Sequence, residues 1–265
     1  AAASRATAAK GGGRAAGSST ARAAALLAAR AEHMDQLEQR VEFLNFCMVQ
    51  GPQIALTQAQ LDVLWNRCVV CGSCVGERDL IFRWVEQVRT NSVSAIEPEA
   101  TRYLFRRASE LSAESLSPTA YACIEYLFRW INWREQRFAQ QDQSNISVLD
   151  VPLHGVQTLW AAALRTRDEA VGVRAIRFLV LLHHSLQIEA SRVRQQQREF
   201  VSSCMSSLDE AASRLRALQL AAPPAGQPAR DAEAAALVRE PLQLCVERCL
   251  TMLRLFVTEL EKRAP

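Results

Sequence analysis

Residues 56–88, LTQAQLDVLWNRCVVCGSCVGERDLIFRWVEQV, read as two short amphipathic helices joined by a cysteine-containing loop. In the first half, Leu61, Leu64, Trp65 and Cys68 stand at i, i+3, i+4 and i+7, which puts four apolar side chains on one face of a helix. Ile81, Trp84, Val85 and Val88 repeat that spacing in the second half. Thr57 followed three residues later by Gln60 is the signature of a reciprocal helix cap. A helix pair with one apolar stripe per member cannot bury those stripes alone, so the reading requires another pair beside it.

The surrounding chain supplies several. Leu37, Val41, Leu44 and Met48 line a helix that begins near Met34 and stops at Gly51-Pro52. A helix over 97–109 has Pro98 in its first turn, where a missing N–H costs nothing. Ser117-Pro118 opens an aromatic helix striped by Ile124, Leu127, Phe128 and Ile131 and widened by Tyr121, Tyr126, Trp130 and Trp133. The polar run 140–152 reads as a loop and a break between helical blocks. Further helices follow over 156–164, from Asp168, from Phe200, and from Pro241 to Lys262. About nine helices of ordinary length, in pairs with short connections, predict an all-α, armadillo/HEAT-like α-solenoid. With no fixed sequence period, a compact irregular bundle is the alternative. Its core is expected from Leu61, Leu64, Trp65, Trp84, Val85, Ile124, Leu127, Phe128, Trp160, Ile176, Leu179 and Met205.

Composition agrees. Of 265 residues, 49% are apolar, enough for a sizeable core, and no segment has the eighteen or more consecutive apolar residues of a membrane span. Residues 1–33 are small, basic and aperiodic, and are expected to be a disordered tail. Their Arg-rich, acid-poor composition resembles a transit peptide, but a chain that does not begin with Met reads more simply as an internal fragment. The helical array is expected over 34–218, a flexible Pro/Ala linker over 219–236, and a C-terminal helix packing on the array over 237–265. The net charge of +3 is too small to imply nucleic acid. Eight cysteines, most of them on apolar helix faces, fit reduced thiols in an intracellular compartment.

Three groups of residues invite chemistry. Cys68, Cys71 and Cys74 have the CxxCxxC spacing of metal ligands, but a closed zinc site takes four, and Cys68 is already claimed by a helix face. His183 and His184 with Cys204 suggest a Cys/His pair, yet Cys204 lies among Val201, Met205 and Leu208 with nothing nearby to activate it, and His183 sits on an apolar stripe where it can donate to a carbonyl. Arg102, Arg106, Arg107, Arg129, Arg134 and Arg137 are interspersed with Glu99, Glu110, Glu125 and Glu135, the pattern of a solvated, ion-paired surface. Trp130 and Trp133 read as core. No catalytic, cofactor-binding or metal residue is assigned.

Several phrases taken together carry a resemblance. LTQAQLDVLW at 56–65, Phe82-x-Trp84, YLF at 103–105, LSPTAYACIEYLF at 116–128, LWAAALR at 159–165, AIRFL at 175–179 and EFVSSCM at 199–205 resemble, in this order, the helical-repeat region of the very large ubiquitin-specific proteases. These are ubiquitin carboxyl-terminal hydrolases of the fat-facets type. The likeness runs from about residue 41 to 215 and more weakly to 260. It implies a parent protein whose cysteine-protease domain removes ubiquitin using a Cys, a His and an Asp or Asn. No cysteine or histidine of this sequence lies in the sequence context of that catalytic machinery, so no functional residue carries over. What the resemblance implies for this chain is a non-catalytic, cytoplasmic or nuclear scaffold whose partners are other domains of the parent and protein substrates, with no cofactor, nucleic acid or membrane. A free-standing helical-repeat adaptor and a thiol hydrolase using Cys204 with His183 or His184 are the alternatives.

Overall fold

The computed structural model describes residues 14–50, 54–91, 96–140, 146–220 and 229–263. Among them run nine α-helices: α1 (Arg14–Val49), α2 (Gln58–Trp65), α3 (Val75–Asn91), α4 (Pro98–Ser109), α5 (Pro118–Arg134), α6 (Val156–Arg165), α7 (Glu169–His184), α8 (Ala190–Leu220) and α9 (Ala229–Arg263). A π turn, Asn66–Val70, extends α2, and two short strands, β1 (Phe138–Gln140) and β2 (Ile146–Val148), pair antiparallel after α5.

The helices stack in pairs: the π turn of α2 packs on α3, α4 on α5, α6 on α7 and α8 on α9. Second members of the pairs join neighbours, because α3 lies against both α1 and α5, and α7 against both α5 and α9. The chain is an all-α solenoid.

Local chemistry sets where the helices begin. Gln60 Oε1 accepts from the Thr57 amide at 2.9 Å while Thr57 Oγ1 accepts from the Gln60 amide at 3.4 Å, completing the reciprocal cap of α2. Ser117 Oγ accepts from the Ala120 amide at 3.1 Å ahead of Pro118, and Asp168 Oδ1 from the Val171 amide at 3.0 Å, capping α5 and α7. At the head of α6, Gly155 has φ 77°, and a Cβ there would stand 2.3 Å from the Phe105 ring, so glycine alone fits.

Leu61, Trp65, Trp84, Val85, Ile124, Leu127, Phe128, Ile176 and Leu179 are buried, and Leu64 and Trp160 are half-buried against them. Trp65 meets Phe82 edge to face at 5.7 Å, which locks the first pair. Phe128 is fully buried among Phe105 of α4, Phe138 of β1 and Phe178 of α7 at 6.4, 5.8 and 5.8 Å.

Four expectations need correction. Met205 is 51% exposed: the buried face of α8 is carried by Phe200, Cys204 and Ala211, and Met205, one residue past Cys204, is turned about 100° away from it. The first helix starts at Arg14 instead of near Met34, because an alanine-rich segment has high helix propensity without any stripe. The last helix starts at Ala229 and carries Pro241 inside it, the alanines before the proline extending the helix upstream of it. The 140–152 loop contains β2, whose Val148 exchanges hydrogen bonds with Ser185 and Gln187 at 2.8 and 2.7 Å and buries Ile146 and Val148. Residues 1–13 of the expected tail and 221–228 of the expected linker lie outside the described residues.

Trp65→Ala removes a buried ring from the first pair and is expected to destabilise the fold by about 3–5 kcal/mol in urea unfolding. Cys71→Ser, at an exposed position, is expected to change stability by less than about 0.5 kcal/mol.

Candidate functional site

Stacking of α3, α5 and α7 leaves a groove of about 410 Å³ over α5. Tyr126, Trp130 and Trp133 follow one another at i, i+4 and i+7 along α5 and form its aromatic wall, with Glu86 of α3 and Arg174 of α7 on its flanks. Tyr126 and Trp130 are half-buried and Trp133 is 46% exposed. Trp133 is therefore not core, and Trp130 is half-buried against the core with one edge in the groove: the stripe of α5 is wider than its neighbours cover.

The groove floor is an ionic network built on one buried carboxylate. Glu125, only 5% exposed, accepts from Arg129 Nε and Nη2 at 3.1 and 2.6 Å and from Arg174 Nε at 2.8 Å. Each guanidinium also lies over an aromatic ring, Arg129 over Phe178 at 4.3 Å and Arg174 over Tyr121 at 5.7 Å. One carboxylate thus fixes two planar cations, which charge-assisted hydrogen bonds hold in one geometry. Burial and the Glu125 charge push the Tyr121 phenol far up, so it stays protonated. Three further arginines are paired: Arg102 with Glu99 at 2.5 Å and Glu135 at 3.3 Å, Arg107 with Glu110 at 2.8 Å, and Arg137 with Glu135 at 3.4 Å.

The cysteine trio does not converge. Cys68 and Cys74 are buried and Cys71 is exposed, and among the described residues no three His, Cys, Asp or Glu side chains gather as a metal-holding cluster. Burial, then the charge of Glu77, pushes the Cys68 thiol up. Cys74 instead belongs to a cluster that ties α3 to α1: its Sγ lies 3.8 Å from Met34 Sδ and 3.9 Å from Glu77 Oε1. Burial raises the Cys74 thiol, but a hydrogen bond from Arg30 leads the opposing effects that hold it below its ordinary value. Glu77 accepts from the Ser73 amide at 3.2 Å and from its hydroxyl, and pairs with His33 at 3.4 Å. Burial raises the Glu77 carboxyl, and those partners more than offset it, leaving it below the ordinary carboxylate range.

Nor do His183 and His184 engage Cys204. The Cys204 thiol is fully buried, 3.6 Å from Met252 Sδ, and desolvation pushes it up to about 12. His183 Nδ1 donates to the Leu179 carbonyl at 2.8 Å, and the ring stacks on Phe200. His184 Nε2 donates to the Phe256 carbonyl at 3.1 Å, joining α7 to α9. The sequence placed His183 correctly as a carbonyl donor. It could not show the Glu125 network, because Arg174 lies 49 positions away and only the α5–α7 packing brings it in.

The fold is an armadillo-like helical array. Residues 7–132 match the model of the UBP24/USP9X/USP9Y ARM repeat family. The chain is 28% identical to ubiquitin carboxyl-terminal hydrolase puf of Drosophila melanogaster over 70% of its own length and 5% of that protein. It is 24% identical to human ubiquitin carboxyl-terminal hydrolase 9Y over 69% of its length and 7% of that protein, and 25% identical to mouse ubiquitin carboxyl-terminal hydrolase 34 over 69% and 5%. It therefore spans a small fraction of the curated relatives it matches. The likeness to the helical-repeat region of the very large ubiquitin-specific proteases, first carried by the phrases at 56–65 and 116–128, holds. No helix among the described residues is long and apolar enough to cross a membrane.

Glu125→Ala is expected to cost about 2–3 kcal/mol in urea unfolding, less than for a fully buried pair because Arg174 is half exposed. A carboxyl held low in the folded state contributes stability above its ordinary value of 4.5 and loses it as pH falls through the folded value. The stability gap between the native chain and Glu77→Gln is therefore expected to shrink as pH drops from 6 to 3, measured by urea unfolding at each pH.

Proposed function

We propose that this chain is a non-catalytic scaffold and partner-binding segment of a very large deubiquitinase, with isopeptide hydrolysis carried out by a separate cysteine-protease domain of the parent. The observation that carries this reading is the α5 groove, where three aromatic side chains stay partly uncovered over a rigid Glu125–Arg129–Arg174 floor in an array similar to the ARM repeats of such hydrolases. Partly exposed tryptophans beside oriented guanidiniums are the composition of a protein contact site. The groove follows α5 from Ala122 to Trp133, which suits an extended segment of a substrate or of another domain of the parent. Eight unpaired cysteines, five of them buried, support a reducing cytoplasmic or nuclear setting.

Two measurements test it. This chain alone is expected to remain unlabelled by ubiquitin propargylamide, a probe that captures the catalytic thiol of a deubiquitinase. In a parent hydrolase carrying the segment, the double variant Trp130→Ala, Trp133→Ala is expected to leave probe labelling of the protease unchanged while lowering co-precipitation of its bound proteins by roughly tenfold, the scale of a hot-spot pair. Covalent labelling of this chain, or partner capture unaffected by the double variant, overturns the reading.

A further inference from the structure

A second, smaller cleft of about 140 Å³ opens where α6, α7 and α8 meet, walled by Val156 and Trp160, by Leu182 and His183, and by Phe200, with Leu153 at its edge. That volume is close to the roughly 150 Å³ of an apolar cavity that takes up benzene, so it suits a single aromatic ring. The walls are aromatic: Phe200 lies 5.3 Å from Trp160 and 4.4 Å from His183, centroid to centroid.

One wall is polar, and its polarity has a sign. A carbonyl can only accept, so the 2.8 Å contact between His183 Nδ1 and the Leu179 oxygen puts the proton on Nδ1. Desolvation in the aromatic stack pulls His183 below its ordinary value, so the ring is neutral at pH 7 and Nε2 offers a lone pair. Gln196, Glu199 and Ser203 line the rim, and Glu199 is exposed to solvent and takes the Gln195 and Gln196 amides at 2.9 and 2.6 Å, which leaves His183 as the acceptor beside the aromatic walls. An occupant must therefore combine a ring of benzene size with a neutral hydrogen-bond donor. A phenylalanine ring would leave Nε2 unpaired, and an ammonium would lose its hydration among apolar walls while the carboxylate at the rim stays in solvent.

We propose that this cleft receives a tyrosine side chain of a partner polypeptide, its ring against Trp160 and Phe200 and its hydroxyl donating to His183 Nε2. It adds a second contact point to the scaffold reading, but its test needs no partner, so the two can fail separately. The probe is p-cresol, compared with toluene, which lacks only the hydroxyl, each titrated into the whole chain and followed by NMR. p-Cresol is expected to bind about fivefold more tightly than toluene, as one net hydrogen bond provides, with shifts at the Trp160 indole and around His183. His183→Phe keeps a ring and removes the acceptor, and is expected to bring the two probes within about twofold of each other. Ser203→Trp, placed at an exposed rim position, is expected to block both probes while the circular dichroism spectrum is unchanged. Equal binding of p-cresol and toluene to the native chain, tighter binding of n-butylammonium, shifts confined to another surface, or no binding at all overturns the proposal.

Discussion

The packing of Phe128 is the constraint on which the array depends. It sits on the second helix of one pair and is covered by a ring from its own pair, a ring from the hairpin that follows and a ring from the next pair. No single pair could enclose it. The same arrangement recurs further along, where Phe200 of α8 contacts Trp160 of α6, His183 of α7 and Phe256 of α9. Each repeat is stable only with neighbours in place, which is the nearest-neighbour energetics of a solenoid. Gly155 belongs to this constraint too, since its missing side chain is what lets the start of α6 close onto Phe105.

Much of this was legible in residues 56–88. The i, i+3, i+4, i+7 spacing identified Trp65, Trp84 and Val85 as buried, and the Thr57/Gln60 pair marked where α2 begins. Periodicity reports how wide a stripe is, not how much of it neighbours will cover. That is why Trp130 and Trp133, legitimate members of the α5 stripe, are at its open edge, and why Met205, one residue from Cys204, is exposed. β2 was illegible for a different reason: a three-residue strand has no period to detect, and its hydrogen bonds are to β1 and to the end of α7.

The candidate groove was less legible than the fold. Its aromatic wall could be listed from α5 alone, but its ionic floor joins α5 to α7 through a contact that no local pattern encodes. Charge alternation correctly marked most arginines as paired, yet it could not separate Arg102, in a surface pair, from Arg129, whose guanidinium is held by a buried carboxylate and a ring. The modest identity to the large hydrolases fits this picture, because stacking asks for apolar volume at fixed spacing and tolerates exchange of the particular side chains.

Both clefts share α7, which contributes Arg174 to one and His183 to the other. Nine residues separate them, about 14 Å of helix rise and about two and a half turns, so they leave α7 on opposite sides. One short segment cannot fill both. α7 is locked by α5, α6 and α9, so the two openings keep a fixed distance and orientation without any loss of freedom on binding. A flexible linker carrying two contact motifs would have to lose conformational entropy to hold them at that spacing. An array whose buried rings fix its backbone needs no such ordering, which is the physical reason a chain with few polar constellations can still present well-defined surfaces.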